Sequence, residues 1–356
     1  MIEIDGSQGE GGGQVLRTCL SLSALTKRPF RLHHIRAKRK QPGLRPQHLT
    51  AVRAVAAICQ AELVGDHLNA ACLEFHPQAR PQGGSYTFDV AEVAQGGSAG
   101  AVTLIFQAIL WPLLFAQTPS HVTLRGGTHV PFSPPFHYLS EVSAPAFARL
   151  GAAFSVCLNA WGWYPAGGGE MQADIHPIPH LQATSLTSDP RPANNDPPPV
   201  TGLAAVTNLP AHIPHRMARR ADNLLRPAGW ATRITAVRET GRAPGAGLFL
   251  WLPQAGFSSL GRQGLPADKV AETAVADLIA FLHTGADLDK HLADQLLLPL
   301  ALAKGQTQFT TALLTQHTLT NADLLRRWLD CPIAIEGQLN QPARITIEGI
   351  GLQRVC

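Results

Sequence analysis

The feature that most constrains the fold of this 356-residue chain is a recurring pattern of helix, strand, helix and then one or two strands, which occurs three times. The first copy opens with a strand at residue 1, the second near Tyr86, and the third starts near His291. One copy spans roughly 70–90 residues, the length of a supersecondary module that cannot bury its apolar face alone. The sequence therefore predicts an α/β (α+β) body in which three modules share one core.

Alternating apolar residues predict the strands, and apolar residues at helical spacing predict the helices. In the first copy the predicted elements are strand 1–5, helix 15–25, strand 30–35 and helix 47–59. In the second copy they are strand 86–90, a Gly-rich turn 95–100, helix 101–116, strand 120–124, loop 126–135 and helix 136–150. In the third copy they are helix 292–302, strand 308–313, helix 320–328 and strands near 333–336 and 344–348.

A segment of different character separates the second and third copies. Residues 183–200 read ATSLTSDPRPANNDPPPV, a polar and Pro-rich composition that is typical of a linker. Beyond it the pattern predicts strand 203–207, helix 213–225, strands 233–238 and 247–252, and helix 268–282. We therefore expect the repeat-built body to comprise 1–183 and 284–356, with 184–283 as a small inserted α/β domain.

Composition excludes several classes of protein. With 45% hydrophobic residues the chain can bury a sizeable core, which excludes a largely disordered protein. The longest apolar stretch, 101–116, is interrupted by Gln107 and Pro112 and is shorter than the ~18 residues of a membrane span. The acidic, Gly-rich start 1–13 predicts no signal peptide, and the six cysteines lack the C-x-x-C spacing of a zinc ribbon. We expect a soluble, cytoplasmic protein.

Positive charge is concentrated near the start of the chain. No Asp or Glu occurs between Glu10 and Glu62, and ten of the 29 Lys and Arg residues lie in that stretch. A basic segment on an acidic body is the electrostatic footprint of a polyanionic ligand, either nucleic acid, a nucleotide or both. The alternative is a solvated basic face with no ligand. The ten bases are Arg17, Lys27, Arg28, Arg31, Arg36, Lys38, Arg39, Lys40, Arg45 and Arg53.

A glycine-rich segment, GEGGGQVLR at 9–17, joins the first predicted strand to the first helix. Glycines let a backbone approach a phosphate, and the free N–H groups of a helix start favour an anion. In such a site Glu10 would hold a divalent metal and Arg17 would pair with a phosphate oxygen, whereas the competing explanation is a structural tight turn. The chain has neither the GxxxxGK[ST] of a P-loop ATPase nor a supported Rossmann fingerprint, which disfavours both classes.

Three further segments carry candidate chemistry. WGWYPAGGGEM at 161–171 joins two strands through three consecutive glycines, which is typical of a hairpin whose turn needs positive φ. HLADQ at 291–295 begins a helix, and QHTLTN at 316–321 lies between a strand and the next helix. A neutral imidazole is a good nucleophile towards phosphorus, so His317 is a candidate. Because the chain has 15 histidines, a structural or merely exposed role competes with that interpretation.

Five motifs, in this order along the chain, together resemble the RNA 3′-terminal phosphate cyclases. They are GSQGEGGGQVLR (6–17), IRAKRKQPGLRPQHL (35–49), YPAGGG (164–169), HLADQLLLPLALA (291–303) and QHTLTN (316–321). The resemblance covers almost the whole chain and is weakest in 184–283. It implies a large body of three βαβαββ-type repeats, related to the enolpyruvyl transferase architecture, with a smaller inserted α/β domain.

The resemblance also implies a reaction and its partners. In that family a histidine attacks the α-phosphate of ATP, giving covalent histidine–AMP and pyrophosphate. AMP then passes to an RNA 3′-phosphate, and the neighbouring 2′-OH displaces it to form a 2′,3′-cyclic phosphate. The implied activity is thus a ligase-type nucleotidyl transfer in RNA processing, with ATP as co-substrate, a divalent metal (Mg²⁺ or Mn²⁺), and RNA bearing a 3′-phosphate end as partner.

Site residues follow from the resemblance position by position. The implied catalytic residues are His317 as nucleophile, Glu10, which also holds the metal, and Arg17. The residues implied to bind ATP are Gln107, Pro134, His291, Leu292, Ala293, Asp294 and Gln295. Those implied to bind RNA phosphate are Arg36, Arg39, Arg45 and Gln47. His291 stands where family members commonly have Tyr, and Trp161 and Met171 depart from the ends of the glycine signature.

Two other functions remain open from the sequence. A cyclase-like ribosomal RNA processing factor of the same fold binds RNA without adenylylation, but it would lack the histidine that this chain has at His317. A small-molecule transferase of the enolpyruvyl class would share the repeats, but it would not require the run of ten bases. No motif indicates an obligate protein partner or a membrane, and a homodimer through an exposed strand edge stays open.

Overall fold

The structure, a computed structural model, describes residues 1–94, 98–187 and 198–354. The first unit consists of β1 (Ile2–Asp5), α1 (Gly13–Thr26), β2 (Phe30–His33), α2 (Pro46–Cys59), β3 (Glu62–Val64) and β4 (Leu73–His76). Its sheet has the order β1-β2-β4-β3, in which β1 and β2 are parallel and the other pairs antiparallel. Helix α1 therefore connects the parallel strands β1 and β2, and α2 connects β2 to the antiparallel strands β3 and β4.

The second unit repeats that plan. Its elements are β5 (Ser85–Asp89), α3 (Val90–Val93), α4 (Val102–Leu114), β6 (Ser120–Gly126), α5 (Phe136–Tyr138), a π-helical turn (Leu139–Ser143), α6 (Ala144–Arg149), β7 (Ala153–Ala160) and β8 (Gly169–His176). Its sheet order, β5-β6-β8-β7, is that of the first unit, again with one parallel pair at the start. The predicted repeat is therefore confirmed at the level of topology.

A different sheet follows in the chain. It is built from β9 (Val200–Thr207), α7 (His212–Leu225), β10 (Thr232–Glu239), β11 (Gly245–Leu252), β12 (Ala255–Leu260) and α8 (Ala267–Thr284). The strand order is β10-β9-β11-β12, and its buried apolar cluster, with Met217, Leu248 and Val275 among its members, is separate from the main core. These elements fall within 184–283 except for the last residue of α8, Thr284. The division of the chain into two domains at the predicted boundaries stays a prediction.

The third unit completes the set. Its elements are α9 (Lys290–Leu302), β13 (Lys304–Thr311), α10 (Gln316–Leu329), β14 (Ile333–Gly337) and β15 (Ala343–Ile350). Its sheet, β13-β15-β14, matches the last three strands of the other two sheets. A single parallel bridge between Leu288 and Thr311 lies where the other units have their first strand. All three units thus share one topology, and a mixed α/β fold built from three repeats is confirmed.

The main core is formed by helices from all three units. In α1, eleven of the fourteen residues are buried, and in α4 twelve of thirteen are, because both helices are apolar on nearly every face. One continuous cluster joins Leu20, Phe106, Leu297 and Phe309, which come from the three units. This shared core brings the starts of α1 and α10, which are distant in sequence, into contact. Over the described ranges, no helix combines the length and apolarity needed to cross a membrane.

Some sequence predictions of local structure were wrong or incomplete. Strands β3, β4 and β12 were not predicted, because they are only three to six residues long and β12 carries Gly and Ser, which have low strand propensity. Helix α10 begins at Gln316 and not at 320, because the Thr315 side chain caps it by accepting a hydrogen bond from Thr318 N. QHTLTN is therefore the first part of a helix and not a loop. Residues 95–97 of the predicted turn and 188–197 of the predicted linker lie outside the described residues.

Candidate active site

The glycine-rich segment forms a tight connection from β1 into α1. Gly9 and Gly11 have φ of 59° and 65°, the left-handed region that favours glycine. A Cβ on Gly9 would collide with the Thr320 side chain of α10, so the absence of a side chain also permits close approach. The helix cap, Gly12, provides no side-chain hydrogen bond to the first turn of α1. The N–H groups of that turn are therefore available to an anion.

His317 lies in the first turn of α10 and reaches the start of α1. Its Nδ1 is 2.6 Å from Gln14 Oε1, and Gln14 Nε2 donates to Asp294 Oδ1 at 2.5 Å. The other ring nitrogen, Nε2, is 3.4 Å from Glu10 Oε1, and the side chain is 46% exposed. Helices α1, α9 and α10, one from the first unit and two from the third, thus build a chain from imidazole to amide to carboxylate.

The hydrogen bonds of Gln14 fix the proton on the imidazole. An amide oxygen only accepts, and the amide nitrogen of Gln14 is committed to Asp294, so the neutral ring carries its proton on Nδ1. Nε2 then holds the lone pair. Burial, together with the positive charges of Arg17 and Arg39, lowers the pKa of His317 to about 4. The ring is therefore neutral at neutral pH, as a nucleophile must be.

Asp294 and Arg17 are charged groups that face the same buried space. Burial raises the pKa of Asp294 to about 6, while the hydrogen bond from Gln14 and the charge of Arg17 oppose that rise. Burial also lowers the pKa of Arg17 to about 10, against the attraction of Asp294. Asn321 completes the cluster: its Nδ2 donates to Asp294 O at 3.4 Å, and its Oδ1 accepts from Thr18 at 3.0 Å. Hydrogen bonds between helices thus hold Asp294 and Asn321 in this cluster.

Glu10 connects His317 to the basic loop, the segment 34–45 between β2 and α2. Its carboxylate forms an ion pair with Arg39, and its side chain is 17% exposed. Its backbone N–H donates to Thr320 Oγ1 at 3.1 Å, which ties the glycine segment to α10. The nearby Lys38 Nζ donates to Gly9 O at 3.3 Å. One carboxylate among bases suits a divalent cation that takes its remaining ligands from phosphate oxygens and water, as Mg²⁺ commonly does.

The other predicted RNA-binding residues stabilise loops in this structure. The Arg36 guanidinium donates to Gln41 O and Gly43 O at 2.8 and 2.9 Å. The remaining two contacts are Arg45 Nη1 to Asn69 Oδ1 at 2.9 Å and Ala101 N to Gln47 Oε1 at 2.9 Å. Their contact with RNA stays a prediction.

A small cavity lies beside Asp294, between α1, α4 and α9. Its volume is about 50 Å³, and its lining includes three of the residues predicted to bind ATP, namely Gln107, Asp294 and Gln295. Leu292 and Ala293 are fully buried in the main core instead. The last two lie apart from the lining: His291 is exposed at the start of α9, and the Pro134 carbonyl accepts from Thr103 at 2.7 Å. The structure thus brings three of the seven together at the cavity.

Comparison with known proteins identifies the family. The family model described as RNA 3′-terminal phosphate cyclase matches residues 8–335. The chain belongs to the RNA 3′-terminal phosphate cyclase family. Curated relatives named RNA 3′-terminal phosphate cyclase include one from Trichormus variabilis, 52% identical over 332 residues, covering 92% of this chain and 94% of the relative. Another, from Methylococcus capsulatus, is 45% identical and covers 100% of this chain and 96% of the relative.

A more distant cyclase relative, from Ignicoccus hospitalis, is 38% identical and covers 99% of this chain and 100% of the relative. Among solved structures, the enolpyruvyl transferase NikO from Streptomyces tendae matches with a TM-score of 0.41 and 11% identity, over 99% of this chain and 50% of that chain. The family resemblance drawn from five sequence motifs is therefore confirmed by relatives that align over nearly the whole cyclase chain.

Sequence reasoning on this cyclase-family chain missed Gln14, which lies between the nucleophile candidate and the buried carboxylate. A signal for it exists. Gln14, Arg17, Thr18 and Ser21 recur at helical spacing on one side of α1, a helix that is otherwise apolar and buried. Polar residues on a buried helix face need hydrogen-bond partners, so such a stripe marks a site and not a packing surface.

Proposed function

We propose that this chain converts RNA 3′-terminal phosphates to 2′,3′-cyclic phosphodiesters at the expense of ATP. The observation that supports this most directly is the position of His317: its Nδ1 lies 2.6 Å from the Gln14 amide oxygen, and its side chain is 46% exposed. A neutral ring that donates from Nδ1 to this oxygen has its lone pair on Nε2. In the first step Nε2 attacks the α-phosphorus of ATP. An N–P bond forms, the bond to the bridging oxygen breaks, and pyrophosphate leaves with its electron pair.

Two transfers follow. An oxygen of the RNA 3′-phosphate attacks the same phosphorus, the N–P bond breaks, and the electron pair returns to Nε2 of His317. The RNA 2′-OH then attacks the 3′-phosphorus, loses its proton to solvent, and expels AMP. The vicinal oxygen is held next to the phosphorus by the ribose, so proximity needs little help from the protein. Overall, ATP and RNA 3′-phosphate give AMP, pyrophosphate and the cyclic ester.

The residues around His317 suit polyphosphate chemistry. The uncapped first turn of α1, with Arg17 behind it, offers N–H donors and a positive charge to a phosphate. Arg39 places a second guanidinium next to Glu10. Glu10 would hold a divalent cation, Mg²⁺ or Mn²⁺, which when bound would offset negative charge on the phosphates. Asp294 Oδ1 accepts a hydrogen bond from Gln14 and so helps to position the amide that faces His317.

Substrate binding is the second part of the proposal. We assign ATP contacts to Gln107, Asp294 and Gln295, which line the cavity, and the RNA end to the loop that carries Arg36 and Arg39. A cavity of about 50 Å³ holds only a few water molecules, so side chains must move to admit an adenosine. We further propose that the reaction is a cytoplasmic RNA-processing step.

The first test is covalent labelling. The purified protein is incubated with ATP labelled at the α-phosphate, and retained label is measured after denaturation. We expect label on the wild type, none on His317→Ala, and full labelling of the control His283→Ala, because His283 is an exposed residue at the end of α8. Labelling of His317→Ala at the wild-type level would remove the assigned nucleophile.

The second test is turnover. An oligonucleotide with a 3′-phosphate is incubated with ATP and Mg²⁺ or Mn²⁺, and its end is then treated with phosphatase. We expect phosphatase-resistant ends and release of AMP from the wild type only. Binding should weaken with salt, because basic side chains that contact phosphates release counterions. Salt-sensitive RNA binding without labelling or resistant ends would instead favour the RNA-binding factor without catalysis.

A further inference from the structure

A second group of metal-type ligands lies at the surface, at the ends of the first two strands. Asp5 ends β1, His33 ends β2, and His34 follows directly. His34 Nδ1 is 3.1 Å from Asp5 Oδ1 and 3.1 Å from His33 Nδ1, and His33 Nδ1 is 4.0 Å from Asp5 Oδ1. Three potential ligand atoms therefore surround one point, in a place that the proposed reaction does not use.

The fold creates this arrangement through the register of the sheet. Asp5 and His33 are partners in the parallel pair β1–β2, so their side chains start from neighbouring strand ends. His34 has φ of 55°, a conformation that is uncommon for a non-glycine residue. Ser7 donates to Asp5 Oδ1 from both its N–H and its hydroxyl, which holds the Asp5 carboxylate in place.

Hydrogen bonds within this cluster cannot satisfy all three of the potential ligand atoms at once. Nδ1 of a neutral His34 ring either donates to Asp5 Oδ1 or accepts from His33 Nδ1, so one proton on it cannot serve both contacts. A cation would accept all three lone pairs at once. Bonds of about 2.0–2.1 Å at tetrahedral angles place ligand atoms roughly 3.3 Å apart, close to two of the three separations here. The third, 4.0 Å, closes with a small rotation of the His33 ring.

We propose that Asp5, His33 and His34 bind a divalent transition-metal ion such as Zn²⁺, with water in the remaining position. Imidazole and carboxylate are the ligand types that this class of ion prefers, and the partial exposure of all three side chains leaves a route for the ion. The motif GSQGEGGGQVLR (6–17), which carries Glu10, starts directly after Asp5, and the motif IRAKRKQPGLRPQHL (35–49), which carries Arg39, starts directly after His34. A bound ion therefore links the start of the segment that carries Glu10 to the start of the segment that carries Arg39.

The test uses the full chain, freed of metal with a chelator and titrated with Co²⁺, whose visible spectrum reports tetrahedral nitrogen and oxygen ligation. Zn²⁺ is then added as competitor, and folding is checked by circular dichroism. The variants are His33→Gln, His34→Gln and Asp5→Asn. The control is His121→Gln, because His121 pairs with Asp174 at 2.8 Å as His34 does with Asp5, but no third metal ligand joins them among the residues that the structure describes.

We expect one Co²⁺ per chain, displaced by Zn²⁺, and at least about tenfold weaker binding in each of the three variants, with the control unchanged. His317→Ala should keep the signal, which separates this site from the nucleophile. Zn²⁺ should also slow cleavage by trypsin after Lys38, Arg39 and Lys40, the exposed bases of the adjoining loop. No Co²⁺ spectrum in the wild type, or equal affinity in all variants, would overturn the site. Unchanged cleavage would overturn its effect on the loop.

Discussion

Replacing Gln14 with Leu tests whether the amide orients the nucleophile. The side chain is 9% exposed and makes two hydrogen bonds, one to His317 Nδ1 and one to Asp294 Oδ1. Leu fills a similar volume but offers neither bond. Without an acceptor opposite Nδ1, the imidazole proton redistributes between the two nitrogens. The fraction of rings with a free lone pair on Nε2 then falls, and with it the rate of attack on ATP.

The expected magnitude follows from the geometry. A buried polar group that loses its partner costs about 1–3 kcal/mol, which corresponds to a factor of roughly 5–150 in rate if the cost is expressed in the transition state. The His317 side chain is 46% exposed, so water replaces part of the lost bond. We therefore expect self-adenylylation to slow by about tenfold, near the lower end. Binding of ATP should change less, because Gln14 acts on the ring and not on the nucleotide.

The pH dependence gives a second readout of the same variant. Gln14 donates a hydrogen bond that holds down the pKa of Asp294, which lies at about 6. Its removal raises that pKa, so Asp294 becomes protonated at a higher pH. Because Asp294 is also assigned a contact with ATP, the acid limb of the rate profile moves to higher pH. The assay is the single-turnover rate of label transfer from ATP at saturating concentration, between about pH 5 and 8. Ser21→Ala is the control, since Ser21 lies on the same face of α1 but bonds only to backbone oxygens. A wild-type rate and an unmoved acid limb in Gln14→Leu would refute the orienting role.

Three further outcomes are expected. Asp289→Ala should lower the free energy of unfolding by at least about 3 kcal/mol in urea titrations. The reason is that this buried carboxylate accepts hydrogen bonds from four donors, namely the Tyr138 hydroxyl and three backbone N–H groups. Asp289→Asn should lower the free energy of unfolding by less. Gly12→Ala should slow self-adenylylation without loss of circular dichroism, because its Cβ would displace the carboxylate of Glu10; an undiminished rate would contradict the tight approach. Finally, stability should fall as pH drops below about 6.5, the ordinary histidine value, because burial holds the pKa of His137 at about 4. The unfolded chain then binds a proton that the folded chain does not, at about 1.4 kcal/mol per pH unit, and urea midpoints that stay constant to about pH 5 would contradict this.

The repeats were predictable from sequence because each depends on local pattern. Helices α1, α4 and α9 are apolar on nearly every face, so the sequence marks them as buried wherever they pack. The strands that were missed show the limit of that reasoning. β3 is three residues long, and β12 places Gly256 against Tyr138, so its existence depends on a neighbour far away in the chain. Short elements of this kind are selected by tertiary contact and not by propensity.

The candidate site, too, was predictable from the sequence only in part. Motif order predicted His317 as the nucleophile, whereas the role of Gln14, 303 positions away, follows only once α1 and α10 are packed together. Counting charges overestimated the number of Lys and Arg side chains that can meet a ligand, because it treated all ten bases of the first segment as available. Arg31 pairs with Glu74 of β4 at 2.6 Å, and its guanidinium is thereby engaged within the sheet of the first unit. A charge run records only how many bases a segment has, and the later strands decide how many are left to meet a phosphate. In this chain Arg39 lies near His317 because its partner, Glu10, comes from the glycine segment itself and is 3.4 Å from the imidazole.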